Sequence, residues 1–225
     1  MNLLAIETAT ETCSVAITVN GEVLEYYQHA PRMHAELLLP WVEQILTEAG
    51  VGFSSIDAIA FSRGPGSFTS LRIGIGVVQG LAWAADRPVI PVSSLAATAQ
   101  TAVDDGIDSA LVALDARMNE VFTGAFEVND MGIMVPVSAE RVCSPANVAI
   151  PANPKTFGIG NGFDRYKPLG ELSEHLMGIR PDIWPKASSI LKLARQWLKN
   201  NEPLSAEQAQ PVYLRDNVAK KEKDR

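Results

Sequence analysis

The stretch "SALVALDARMNEVFTGAFEV", residues 109–128, echoes the opening of the chain, "NLLAIETATETCSVAITV", residues 2–19. Each is an apolar strand ending in an acidic residue, then a polar turn, then a second apolar strand. Glu7 and Asp115 occupy equivalent positions. A chain that restarts in this way is expected to fold into two related α/β lobes with a cleft between them. The polar run "DDGID" at 104–108 marks the boundary. The division is an N-terminal lobe over residues 1–105, a C-terminal lobe over 108–210 and a tail over 211–225.

Local signals fill in the elements. Asn20-Gly21 is a hairpin turn, because both residues tolerate positive φ. It joins strands over 12–19 and 22–29, beside a first strand over 2–8. Apolar residues at helical spacing predict a helix from His34 to Gly50, kinked at Pro40. A buried strand over 56–62, a loop over 63–68 and a long helix to about Asp86 follow. "PVIPVS" is a short strand, after which Ser93 or Ser94 caps a helix. In the second half, "KTFGIGNGF" reads as a strand running into a glycine turn, and "SSILKLARQWLKNN" as an amphipathic helix. The last seven residues, "AKKEKDR", are mostly charged and read as a solvated tail.

Composition removes several function classes. The net charge is −7, whereas a protein that holds nucleic acid by itself shows a basic face. Any RNA contact is therefore expected through a partner. Two distant cysteines with no CxxC argue against a disulfide framework or a zinc site and for a reduced, cytoplasmic chain. The start lacks the basic flank of a signal peptide, and no apolar run is long enough to span a bilayer. There are three histidines and no H-E-x-x-H, and G-x-S-x-G is absent. No metal ligand and no catalytic residue is assigned.

The block "SRGPGSFTSLRIGIGVVQGLA", residues 62–82, carries the chemistry that remains. Gly64, Gly66 and Ser67 fit either a backbone anion cradle or a tight turn with a helix cap. Neither a Walker loop nor GxGxxG is present. Glu7 and Asp115 fit either Mg²⁺ near a nucleotide's phosphates or carboxylates bonding a neighbouring turn. "GIGNG" at 158–162 is a remnant nucleotide loop or simply a turn. The helix after the loop is apolar around almost its whole circumference, as is the helix at 34–49. Such helices are buried on every side or covered by a partner. The interface reading selects Leu38, Trp41, Val42, Ile45, Ile73, Gly76, Val77 and Gly80, with Gly74 also allowing close helix approach.

"LLAIETATETCSVAI", "GPGSFTSLRIGIGVVQGLA", "LDARMNEVF" and "PVYLRDNVAKK" together resemble the TsaB (YeaZ) family of bacterial tRNA threonylcarbamoyladenosine biosynthesis proteins, over essentially the whole chain. The resemblance implies a two-lobed actin-like, Hsp70-like ATPase (ASKHA) fold that has lost the catalytic apparatus of its paralogue TsaD. It implies a scaffold that binds TsaD through the two helices, with the ATPase TsaE as third member, and self-pairing when isolated. ATP and Mg²⁺ would serve the partner subunits, and tRNA would be reached only through the complex. The glycoprotease-like label, and a free-standing ATPase or sugar kinase, are the alternatives. Glu7 stands where the family often has Asp, and Ser70 where it usually has Gly. Both fit a pseudoenzyme in which Glu7, Gly64, Gly66, Ser67 and Asp115 are a vestigial nucleotide site.

Overall fold

The computed structural model describes residues 1–215, so the charged run at 219–225 lies outside the described residues. The first sheet contains β1 (Leu3–Glu7), β2 (Thr12–Val19), β3 (Glu22–His29), β4 (Ala58–Gly64) and β5 (Val89–Ser93). Its order is β3-β2-β1-β4-β5. The first three strands form an antiparallel meander, and β1, β4 and β5 run parallel. Asn20 (φ 52°) and Gly21 (φ 90°) make the expected β2–β3 turn. Between β3 and β4 lies α1 (His34–Glu48), and between β4 and β5 lies α2 (Phe68–Ala84). Pro40 sits inside α1 on its exposed side, where the lost backbone bond faces water.

The second sheet repeats the plan. After α3 (Ser94–Ala102) come β6 (Ser109–Asp115), β7 (Val121–Val128), β8 (Met134–Pro136), β9 (Arg141–Cys143), β10 (Phe157–Ile159), α4 (Gly162–Arg165), α5 (Lys167–Gly170), β11 (Gly178–Arg180) and α6 (Ala187–Trp197). The order is β11-β10-β6-β7-β8, with β9 also on β7. Strand β6 is antiparallel to β7 and parallel to β10, as β1 is to β2 and β4. The echo in sequence is thus an echo in topology, and Glu7 and Asp115 end the two equivalent strands. Two mixed sheets flanked by helices, related in this way, make the actin-like fold.

The layers do not follow the division at 105/108. Helices α1 and α2 cover one face of the first sheet. Helix α6 covers the other, where Ala187, Ile190, Leu191 and Ala194 meet Leu3, Ala5, Ala16 and Ala60. Helix α3 packs Leu95, Ala99 and Ala102 on the second sheet. Ala97 of α3 joins the cluster around α6, and Thr101 bonds Ser189 at 2.9 Å. The middle layer is therefore α3 and α6, each covering the lobe encoded by the other half of the chain. Assigning 108–210 wholly to the C-terminal lobe is corrected on this point. An amphipathic helix buries its apolar stripe wherever an uncovered sheet face waits, irrespective of chain order.

Two glycines set α2 against the first sheet. A Cβ on Gly66 would lie 2.2 Å from the Ala9 carbonyl oxygen, and one on Gly74 would lie 2.1 Å from Thr8 Oγ1. Gly74 is therefore an internal contact, not one that admits a partner helix. Gly76 and Gly80 face the other way, and a Cβ on either would meet nothing within 4 Å. Gly66→Ala is expected to cost about 1–3 kcal/mol through overpacking against backbone. Gly80→Ala is expected to stabilise the isolated chain by up to ~1 kcal/mol through helix propensity. Urea unfolding of both variants checks this; equal effects would contradict the assignment of inner and outer glycines.

Candidate functional site

The two strand-end carboxylates face an inter-lobe cleft of about 300 Å³ in different ways. Thr10, Glu11, Gly66, Ser67 and Thr69 line its first-lobe side, and Asp115, Arg117, Phe122 and Asn161 its second-lobe side. Asp115 is a lining residue with a side chain only 3% exposed, and Glu7 lies wholly buried behind the lining.

Asp115 is saturated. Its Oδ1 accepts from the Tyr166 hydroxyl at 2.6 Å and from the Arg117 amide at 2.8 Å. Its Oδ2 pairs with Arg117 at 3.1 Å and Arg165 at 3.3 Å. Burial and the bond to Asp115 push the Tyr166 phenol above its ordinary pKa, so it remains a donor. Two guanidiniums occupy the space and balance the charge that a divalent cation would use. No sequence motif announces this clamp. Arg117 stands two residues from Asp115 and was legible as a neighbour; Arg165 and Tyr166 arrive from α4 and its C-terminal end.

Glu7 is equally unsuited. Its Oε1 accepts from the Ala9 amide, while Oε2 is buried without a hydrogen-bond partner. Burial pushes its pKa up to about 7, against the lowering effect of the Ala9 amide and the neighbouring Ser62 hydroxyl and Thr8 amide. Among the described residues no group of three or more His, Cys, Asp or Glu side chains could hold a metal ion. These residues do not fit a magnesium-nucleotide.

Part of the loop's donor set is used within the protein. The Ser67 amide donates to the Ala9 carbonyl at 2.7 Å, and Ser67 Oγ caps α2 by accepting from Ser70. Gly64, with φ 100°, backs onto the Val212 carbonyl. In the second lobe, Gly160 and Gly162 press on the Ala113 carbonyl, so "GIGNG" is the end of β10 and a tight turn against β6 into α4. Ser67 has Ser70 as its partner, His34 bonds the Thr12 carbonyl at 3.0 Å, and burial with the nearby Glu7 charge pushes the Cys13 thiol up to about 12. No hydrolytic nucleophile is activated by these arrangements.

The helical face is the second candidate. Leu38, Val42 and Ile45 are at most 3% exposed and belong to the first lobe's core, which corrects their assignment to an interface. Each contributes roughly 1.5–3 kcal/mol by that burial, so none is free for a partner. Trp41, Ile73 and Val77 are half-buried, and Gly76 and Gly80 are exposed. Thr69, Arg72, Gly76, Gly80 and Trp83 form one solvent-facing stripe along α2, ending at a Trp83 that is 78% exposed. A stripe bared by two glycines, with half-buried Ile73 and Val77 beside it, is a surface another helix can approach closely.

Residues 26–223 match the family model described as TsaD, tRNA N6-adenosine threonylcarbamoyltransferase. The chain is 39% identical to the tRNA threonylcarbamoyladenosine biosynthesis protein TsaB of Escherichia coli K12, over 97% of this chain and 96% of that one. It is also 39% identical to TsaB of Haemophilus influenzae, over 97% and 95%. The solved structure of YeaZ from Pseudomonas aeruginosa superposes with a TM-score of 0.87 at 43% identity, covering 95% of this chain and 99% of that chain. The chain belongs to the TsaB (YeaZ) family. A member of this family thus carries the two-lobed fold with one strand-end carboxylate buried behind the cleft and the other in its lining, held by Arg117, Arg165 and Tyr166. No helix among its described residues is long and apolar enough to cross a membrane.

Glu7 gives a pH signature. Its folded pKa is raised, so its favourable contribution is complete below about pH 4.5 and is lost as pH rises through about 7. Wild type should lose about 1–3 kcal/mol relative to Glu7→Gln between pH 5 and pH 8. Paired urea titrations measure this, and a pH-independent difference between the two proteins would contradict the buried, protonated carboxyl.

Proposed function

We propose that this chain is a non-catalytic scaffold subunit in the biosynthesis of threonylcarbamoyladenosine in tRNA, binding and ordering a TsaD-like catalytic paralogue through the α1–α2 face. The observation that carries the reading is the pairing of a disabled cleft with an open glycine stripe. Asp115 is held by Arg117, Arg165 and Tyr166, while Gly76 and Gly80 lie bare on the outer side of α2. A chain that has disabled its own site and exposes a helix-accepting face contributes by binding. The names of its relatives support the pathway, and the likeness of this chain to the transferase model is consistent with a paralogous catalytic partner.

In this reading a TsaE-like ATPase joins the complex, and ATP and Mg²⁺ serve those partners. The acidic chain meets tRNA only through the complex, in the cytoplasm, and the stripe pairs two copies when no partner is present. The isolated chain hydrolyses ATP no faster than background.

The test is Gly76→Arg. The added side chain enters open space, so the free chain should stay folded. A charge forced between packed helices costs several kcal/mol, so affinity for the TsaD-like partner should fall at least about a hundredfold. Depleted cells should lose the modified nucleoside in tRNA, wild type should restore it, and Gly76→Arg should not. Full rescue by a folded variant that no longer binds the partner would overturn the scaffold role.

A further inference from the structure

The turn joining β6 to β7 is strained, and the chain's own C-terminal strap grips it. Arg117, Met118 and Asn119 all have left-handed backbones, with φ of 61°, 53° and 58°. Only asparagine takes that region readily, so three in a row persist only where other contacts hold them. The turn closes on itself through two bonds between Ala116 or Arg117 and Glu120. Its outer grip is Arg215, which donates to the Ala116 carbonyl at 3.1 Å, pairs with Glu120 and lies 3.5 Å from Met118 Sδ.

The strap that brings Arg215 is anchored on the opposite lobe. The Gln79 side chain donates to the Ala209 carbonyl at 2.9 Å, and the Val212 amide donates to the Arg63 carbonyl at 2.8 Å. Tyr213 stacks near Phe68, with ring centroids 5.8 Å apart, and accepts from Arg72 Nε at 3.1 Å. Leu214 then packs, half-buried, against the second lobe's core. The held turn in its turn aims Arg117 back across the cleft, where it bonds Glu11 of the first lobe at 3.1 Å. The contacts therefore form a closed ring: first lobe, strap, strained turn, Arg117, first lobe.

We propose that residues 211–215 are a clasp that holds the strained 117–119 turn and thereby fixes the two lobes against each other and seats the first turn of α2. The clasp is built from this chain alone, so its test needs no partner and is independent of the scaffold reading.

The experiment is hydrogen exchange by mass spectrometry on the full-length isolated chain carrying Arg215→Ala. Exchange should accelerate at least about fivefold at 116–122 and also across the cleft at 8–12 and 66–72, with the centre of the first sheet unchanged. Met118→Gly in that background removes strain at an exposed position, and should return 116–122 to within about twofold of wild type. Should Arg215→Ala unfold, Glu120→Gln breaks the same pair from the other side and is read identically. Acceleration confined to 116–122 would overturn the coupling between lobes. An unchanged pattern, or no rescue by Met118→Gly, would overturn the role of the clasp in holding the turn.

Discussion

The contact between Gly66 and the Ala9 carbonyl organises this molecule. A backbone oxygen sits where any side chain at 66 would have to be, and the same oxygen accepts the Ser67 amide. That one contact locks the turn after β1 to the start of α2. It fixes the helix so that Gly74 faces Thr8, and Gly76 and Gly80 are left pointing outward. It also spends an amide that an anion at the head of α2 would have needed. The contact that builds the fold thus also uses one amide of the loop.

The second lobe reaches a similar end by other means. Gly160 and Gly162 press on the Ala113 carbonyl as Gly66 presses on Ala9. The carboxylates that end the equivalent strands differ in how they are withdrawn: Glu7 by burial, Asp115 by two guanidiniums and a phenol. One is held near neutrality and the other compensated. Neither presents an unpaired carboxylate to the cleft: Glu7 is buried behind it and Asp115 is paired with Arg117 and Arg165.

Much of this was legible in the sequence because it is local. The Asn20-Gly21 turn, the strand echo ending at Glu7 and Asp115, and the Ser93 cap each depend on a few adjacent residues. What the sequence hid is direction. Helix α1 reads as apolar all round, yet only the folded sheet shows that Leu38, Val42 and Ile45 are its inner side. Gly74 and Gly76 stand two residues apart in one run of glycines, and 200° of helix rotation sends one inward and the other outward. The stripe of α6 declares itself amphipathic without naming the sheet it covers. The clamp on Asp115 joins residues about fifty positions apart, and no periodicity connects them.

In the proposed scaffold role the chain acts through the outer face of α1 and α2 and not through its cleft. Hydrogen exchange of the chain with and without an excess of its TsaD-like partner tests it most directly. Backbone amides in the bare stripe exchange by local opening, which a docked helix suppresses. The account predicts new protection over 69–84 and the adjoining turn of α1 around Trp41, with 113–117 in the cleft unchanged by direct contact. Protection confined to the cleft, with the α2 stripe exchanging as freely as before, would contradict it.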